Sequence, residues 1–191
     1  GRTWTHVKPM FVSGNLGGAR KYGPALVGDP VNGDVVYYAS QKDGLLYTRN
    51  GGAGEDAWQT VPHDMIPPNP KAYRHSRAVQ IDPTGGTVGA GGEKRSKVIY
   101  VAVGEGNVYR STDGGDTWSK LADIGGEHGP IAWLSIGKTG DVYAAHRKGL
   151  SVMRRGDAEW QDVSPPDVGG CSGVDSSPRH EGRLLAVFSG K

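Results

Sequence analysis

Short apolar runs recur along the chain: Val35-Val36-Tyr37-Tyr38-Ala39, Val98-Ile99-Tyr100-Val101-Ala102, Val142-Tyr143-Ala144-Ala145 and Leu184-Leu185-Ala186-Val187-Phe188. Each is four or five residues of β-branched, aromatic or small side chains between turn formers, and reads as the second strand of a repeated unit. Ahead of each lies a candidate inner strand: Ala25 to Pro30, Ala78 to Pro83, Trp133 to Ile136 and Ser172 to Asp175. Behind the first three lies a hairpin partner: Gly44 to Asn50, Gly106 to Ser111 and Gly149 to Arg154. A Trp-centred strand then follows, at Ala57-Trp58, Thr117-Trp118 and Glu159-Trp160, and Thr3-Trp4-Thr5-His6-Val7 repeats that pattern at the start of the chain. The tryptophans are 54, 60 and 42 residues apart, a repeat length that suits four-stranded blades with variable loops. No apolar pattern of period 3.6 is sustained, so helical and dinucleotide-binding folds have no support.

The rhythm predicts an all-β fold, a β-propeller of four-stranded antiparallel blades with about three and a half blades present. Residues 1–7 read as the outer strand of one blade, 25–61, 78–121 and 131–163 as full blades, and 171–191 as the start of another. Three and a half blades do not close a ring, and open blade edges pair with other strands. The expected partner is therefore the remainder of a propeller, or a second copy of the chain.

Composition sharpens this picture. Among 191 residues there are 32 glycines and 12 prolines, as a turn-rich β protein requires. The 22 basic and 20 acidic residues leave a net charge of +2, too weak a field to imply nucleic acid. No segment approaches the roughly 18 apolar residues of a membrane helix, so no membrane partner is expected. Cys171 is the only cysteine; an internal disulfide is excluded, and its place after two glycines reads as a small strand residue. The chain opens with Gly1 inside a repeat, which suggests a processed N-terminus and makes the lack of a signal segment uninformative about secretion.

One turn is written out in full, Ser111-Thr112-Asp113-Gly114-Gly115-Asp116-Thr117-Trp118. An acidic side chain that accepts backbone N–H groups, glycines free to take positive φ and a Trp packed over the hairpin make a fold-specifying turn. The pattern resembles the Asp-box, the hairpin signature of sialidase, sortilin-type and glycoside hydrolase family 74 propellers. Ser111, Asp113, Gly115 and Trp118 are its structural positions, and a carboxylate held by turn amides is poorly placed for chemistry. Elsewhere the box is incomplete: Asn50-Gly51-Gly52 stands in one repeat and Arg155 takes the acidic position in another. Asp29, Asp82 and Asp175, each after an inner strand, read as turn formers, and Gly91 to Lys97 as an exposed, charged hairpin loop.

Among Asp-box proteins the order of features over nearly the whole chain is most similar to family 74, the xyloglucanases and oligoxyloglucan hydrolases. The similarity lies in Trp4, the loop Gly14 to Gly23 before Asp29-Pro30, Gly44-Leu45 leading into a box, a long loop before Asp82-Pro83, Tyr109 to Gly115, Pro130, and Trp160 to Pro165. It implies a secreted, extracellular enzyme that hydrolyses a β-glucan with inversion, using two carboxylates about 6.5–9.5 Å apart. Neither carboxylate matches a position here; the stretches that would carry them fall before Gly1 and after Lys191. The resemblance therefore implies that this chain contributes substrate-binding loops to a polysaccharide or oligosaccharide site.

Those loops join one blade's outer strand to the next inner strand. They carry Asn15, Arg20, Lys21 and Tyr22, then Tyr73, Arg74, His75 and Arg77, then Glu127 and His128, with Trp133 at the start of an inner strand. Aromatic faces stack on sugar C–H surfaces, while Arg and His bind hydroxyls or carboxylates. Asn15, Arg20, Tyr22, Tyr73, His75, Arg77, His128 and Trp133 are the candidate substrate-binding residues. The same mixture suits a second chemistry, a polysaccharide lyase on uronate-containing glycans with His75 or His128 as base, Tyr73 or Tyr22 as acid and Arg77 or Arg20 as charge neutraliser. A third reading is a propeller that binds carbohydrate or protein without catalysis. The adjacent pairs His63-Asp64 and Glu127-His128 lack metal-ligand spacing, so no metal and no cofactor is expected.

Overall fold

The computed structural model describes residues 23–40, 43–54, 56–68, 76–104, 106–124, 128–177 and 179–190, with the side chains of 76, 77 and 104 left out of that description. Every assigned element among them is a strand. The first sheet has the order β1 (Leu26–Gly28), β2 (Val36–Ala39), β3 (Leu45–Thr48), β4 (Gln59–Thr60). In the second sheet β5 (Ser76–Ile81) pairs with β8 (Ile99–Gly104), then β9 (Asn107–Ser111), then β10 (Ser119–Lys120). A separate hairpin, β6 (Gly86–Val88) with β7 (Lys94–Ser96), is inserted between β5 and β8. The third sheet runs β11 (Ile131–Ile136), β12 (Val142–His146), β13 (Gly149–Met153), β14 (Gln161–Asp162). The fourth has two strands, β15 (Val168–Ser176) and β16 (Leu184–Gly190). All these ladders are antiparallel.

The sheets stack face to face, and the sequence shows why. In β8, Ile99, Val101 and Val103 enter a core shared with Val35, Tyr37, Ala39 and Leu45 of the first sheet. Tyr100 and Ala102, on the opposite face, join Ile131, Leu134, Val142 and Ala144 of the third. A strand covered on both faces must be apolar at every position, which is how β8 reads. The same alternation sends Val142 and Ala144 of β12 one way and Tyr143 and Ala145 the other, toward Cys171 and Val174 of β15. A bulge between Ile131 and Trp133 lets Ile131 and Leu134 share a face. The inner strands follow one another around an axis: β5 lies against β1 and β11, and β11 against β15. This is the propeller arrangement of four-stranded antiparallel blades.

The turn at 111–118 has a complete set of bonds. The Asp113 carboxylate accepts the Asp116 and Thr117 amides at 3.1 and 3.0 Å and the Thr117 hydroxyl at 2.5 Å. Ser111 Oγ accepts the Gly115 amide at 2.7 Å, and Trp118 Nε1 donates to the Gly115 carbonyl at 3.1 Å. Gly115 has φ +90° and an added Cβ would meet Tyr37 Oη at 2.6 Å, so only glycine fits there. The first sheet reproduces the turn with other residues: Thr48 Oγ1 accepts the Gly52 amide at 3.1 Å and donates to Asn50 Oδ1 at 2.8 Å. In the third sheet, where Arg155 fills the acidic position, Asp141 from the neighbouring turn accepts the Arg155 amide at 2.9 Å and binds Arg154 at 3.0 Å.

Two expectations need correction. Gly91 to Lys97 is a hairpin segment only partly exposed: Gly91, Gly92, Lys94 and Lys97 face solvent, but Lys94–Ser96 is a paired strand, and Arg95 has 0% of its surface exposed because three acidic or carbonyl partners enclose it. Asp175 does not form a turn; it pairs with Leu185 within β15, whose ladder runs further than Ser172 to Asp175. Asp29 and Asp82 do hold turns, through Val31 and Asn32 for the first and Thr84 for the second.

Candidate functional site

In an up-and-down blade the first-to-second and third-to-fourth connections lie at one end of the sheet, and the others at the opposite end. The box turns therefore share an end with the Asp29, Asp82 and Asp141 turns. The other end gathers the described parts of the inter-blade connections, 61–68, 121–124, 128–130 and 163–167, with the β2–β3, β8–β9 and β12–β13 turns. Asn15, Arg20, Lys21, Tyr22, Tyr73, Arg74, His75 and Glu127 lie outside the described residues, as does the 1–7 strand. Arg77 is on β5 opposite Val103, where the backbone alone is described.

His128 and Trp133 are both described. His128 is buried; its Nδ1 lies 2.6 Å from the Gly129 carbonyl, and its own carbonyl accepts the Arg147 amide at 3.2 Å. A carbonyl only accepts, so Nδ1 carries a proton, and in that tautomer Nε2 is the acceptor. The ring packs on Gly106 in the β8–β9 turn, where φ is +114° and an added Cβ would come within 2.3 Å of His128 Cε1. Trp133 is half-buried against the core formed by Tyr143, Ala145 and Leu150, with the Gly23 backbone near the edge of its six-membered ring.

Beneath His128 lies a residue that the sequence reading passed over. His146, at the end of β12, meets the His128 ring edge to face with centroids 5.7 Å apart. Lys148 N donates to its Nδ1 at 3.3 Å, so Nε2 carries the proton and donates to Ser151 Oγ at 2.9 Å. Burial, assisted by His128 and opposed by Asp162, lowers the His146 pKa to about 4. Ser151 also sits opposite Asp162 in the β13–β14 ladder, which brings Ser, His and Asp together. They are not wired as a nucleophilic triad: His146 donates to the serine instead of accepting its proton, and Asp162 Oδ1 is taken by the Ser164 amide at 2.8 Å. The available signal was a histidine ending an otherwise apolar strand, two residues before Lys148.

The end therefore presents the His128 imidazole, its Nδ1 turned to the Gly129 carbonyl, over a second imidazole, His146, that burial keeps uncharged until about pH 4. Such a group accepts a hydrogen bond from a hydroxyl, as a sugar would supply. His63 and Asp64 are exposed beside the Pro62 to Ile66 turn, which the buried Ile66 anchors. Among the described residues no group of three His, Cys, Asp or Glu side chains could hold a metal ion. The Cys171 thiol is buried, and burial raises its pKa.

No protein-family model matches the chain. In sequence it is 33% identical to a xyloglucanase of Paenibacillus sp over 86% of its own length and 17% of that protein's. To a xyloglucanase of Acetivibrio thermocellus it is 28% identical over 86% of its length and 21% of the relative's. The chain thus spans about a fifth of the length of the curated relatives it matches. Among solved structures, the GH74 xyloglucanase of Xanthomonas campestris superimposes with a TM-score of 0.72 at 23% identity, covering 92% of this chain and 27% of that one, which is a likeness of fold. In sequence and in fold together, the chain is a GH74-like stretch of β-propeller, similar to part of a xyloglucanase.

Proposed function

We propose that the chain is part of an extracellular glycoside hydrolase acting on xyloglucan-type β-glucan, and that it supplies walls of the substrate groove. The observation that carries this is the 33% identity to a protein named xyloglucanase along 86% of the chain. The site geometry fits the reading. His128 offers a hydroxyl acceptor at the end of the blades where the loops gather, and Asn15, Arg20, Tyr22, Tyr73, His75, Arg77 and Trp133 are the further residues proposed to line that groove.

In this reading the carboxylates that protonate the glycosidic oxygen and activate water belong to other parts of the enzyme. This chain's share is to orient the glucan backbone and exclude water along it. His128 then binds substrate and performs no proton transfer. Replacing His128 by Ala should weaken binding of a xyloglucan oligosaccharide about fivefold to tenfold, the loss of one neutral hydrogen bond, as titration calorimetry would show. Unchanged affinity would remove His128 from the groove. An ultraviolet-absorbing unsaturated product from a polyuronate substrate would replace the hydrolase reading with a lyase.

A further inference from the structure

Arg95 is the bulkiest side chain in the fully buried set, and it carries a charge. A guanidinium without partners would cost several kcal/mol to bury, so its partners define its role. Glu93, from the same β6–β7 hairpin, accepts Nη1 at 2.8 Å. From the β9–β10 turn, the Asp116 carboxylate and the Asp113 carbonyl accept Nη2. Arg49, at the end of β3 in the first sheet, joins Asp116 at 2.8 Å and Glu93 at 3.4 Å, making a neutral square of two guanidiniums and two carboxylates.

The square lies on a seam. From the first sheet, Asp29 accepts both the Ser96 amide and the Ser96 hydroxyl at 2.8 Å, Asn32 Nδ2 donates to the Lys94 carbonyl at 3.0 Å, and Tyr37 Oη donates to the Gly114 carbonyl at 2.9 Å. The Gly114 amide in turn donates to Lys97 at 2.9 Å, and a Cβ at Gly114 would approach Arg95 Nε to 2.4 Å. The hairpin is therefore strapped over the junction between the first two blades, at the end opposite His128. The apolar core already joins these sheets. Buried ion pairs add little net stability beside such a core, but they make the seam depend on charge.

We propose that the β6–β7 hairpin is an acid-released latch: with Asp116 ionised it clamps the second blade to the first through Arg95 and Arg49, and protonation of Asp116 frees it while the sheets stay folded. The groups facing the square are Glu93 on the hairpin, Asp113 and Asp116 on the β9–β10 turn, Arg49 just after β3, and Tyr37 and Asp29 in the first sheet. Burial raises the pKa of Tyr37, which keeps its hydroxyl neutral. Burial also opposes ionisation of Asp116, but bonds from Arg95 and Arg49 outweigh it and hold that carboxyl below its usual range. A depressed carboxyl contributes stability above its unfolded pKa and loses it as pH falls through the folded one, so release belongs below about pH 4.

Amide hydrogen exchange on the unaltered protein tests this, comparing protection at Ser96 and Gly114 with that at Val101 in the core of β8. On going from about pH 7 to about pH 2, protection at Ser96 and Gly114 should fall at least about tenfold relative to Val101. An equal fall at all three sites, or none at Ser96 and Gly114, would overturn the latch. A variant pair gives the second readout: Asp116→Asn should lower the thermal midpoint by stranding Arg95, and adding Arg95→Met should recover most of that loss. A double variant as unstable as the two single losses summed would also overturn it.

Discussion

Asp113 shows how one side chain fixes a turn and forfeits chemistry in doing so. Burial works against its ionisation, yet bonds from Thr117, Ser111 and Asp116 hold its pKa below the ordinary value. Every oxygen is engaged with the turn, leaving none to act on a substrate. Asp113→Ala should cost about 1–3 kcal/mol in urea unfolding. Asp113→Asn should cost less, because Asn50 already serves the equivalent turn of the first sheet. The Asn variant should also lose part of the acid sensitivity below about pH 4, where the native carboxylate gives up its contribution.

His146 predicts a loss of stability at milder acidity. Its folded pKa of about 4 lies below the ordinary 6.5, so the folded state binds fewer protons than the unfolded one. Stability is complete above about pH 6.5 and declines as pH falls toward 4, by on the order of 3 kcal/mol. His146→Gln keeps a donor for Ser151 and removes the titration, so its thermal midpoint should stay flat across that interval while the native protein's falls. Equal slopes for the two proteins would show that His146 is not buried as described.

At the scale of elements, what was legible in the sequence was what depends on near neighbours. The apolar run from Ile99 to Val103 had to be covered on both faces, and the box turn names its own bonding partners within eight residues. Arg95 was misread because its burial depends on Asp116 and the Asp113 carbonyl, brought in by the β9–β10 turn some twenty residues later. His146 was missed for the same reason: its lowered pKa comes from burial among distant neighbours, assisted by His128. In the third sheet the missing box aspartate is replaced by Asp141, fourteen residues before Arg155 in sequence and on another turn. Ile99→Ala, opening a cavity between the first and second blades, should cost about 2–5 kcal/mol, whereas Ile99→Val should cost about 0.5–1.5 kcal/mol. Denaturant midpoints at constant slope would check both.

At the scale of the whole molecule, large apolar side chains stand exposed among the described residues of β1 and β16. Leu26 is 61% exposed on β1, and Leu185 and Val187 are 75% and 58% exposed on β16, whose other face carries Ala186 and Phe188 into the core. Such faces associate. Light scattering should show a mass that rises with concentration, and Leu185→Lys should reduce that rise without lowering the thermal midpoint.

The central claim, that this GH74-like arc helps to hold xyloglucan, is tested most directly by affinity electrophoresis of the folded protein through gels containing xyloglucan. The expected result is retardation that grows with xyloglucan concentration, diminishes in the His128→Ala protein and is absent in gels containing a polyuronate. Equal mobility in gels with and without xyloglucan, from a sample that still melts cooperatively, would contradict it.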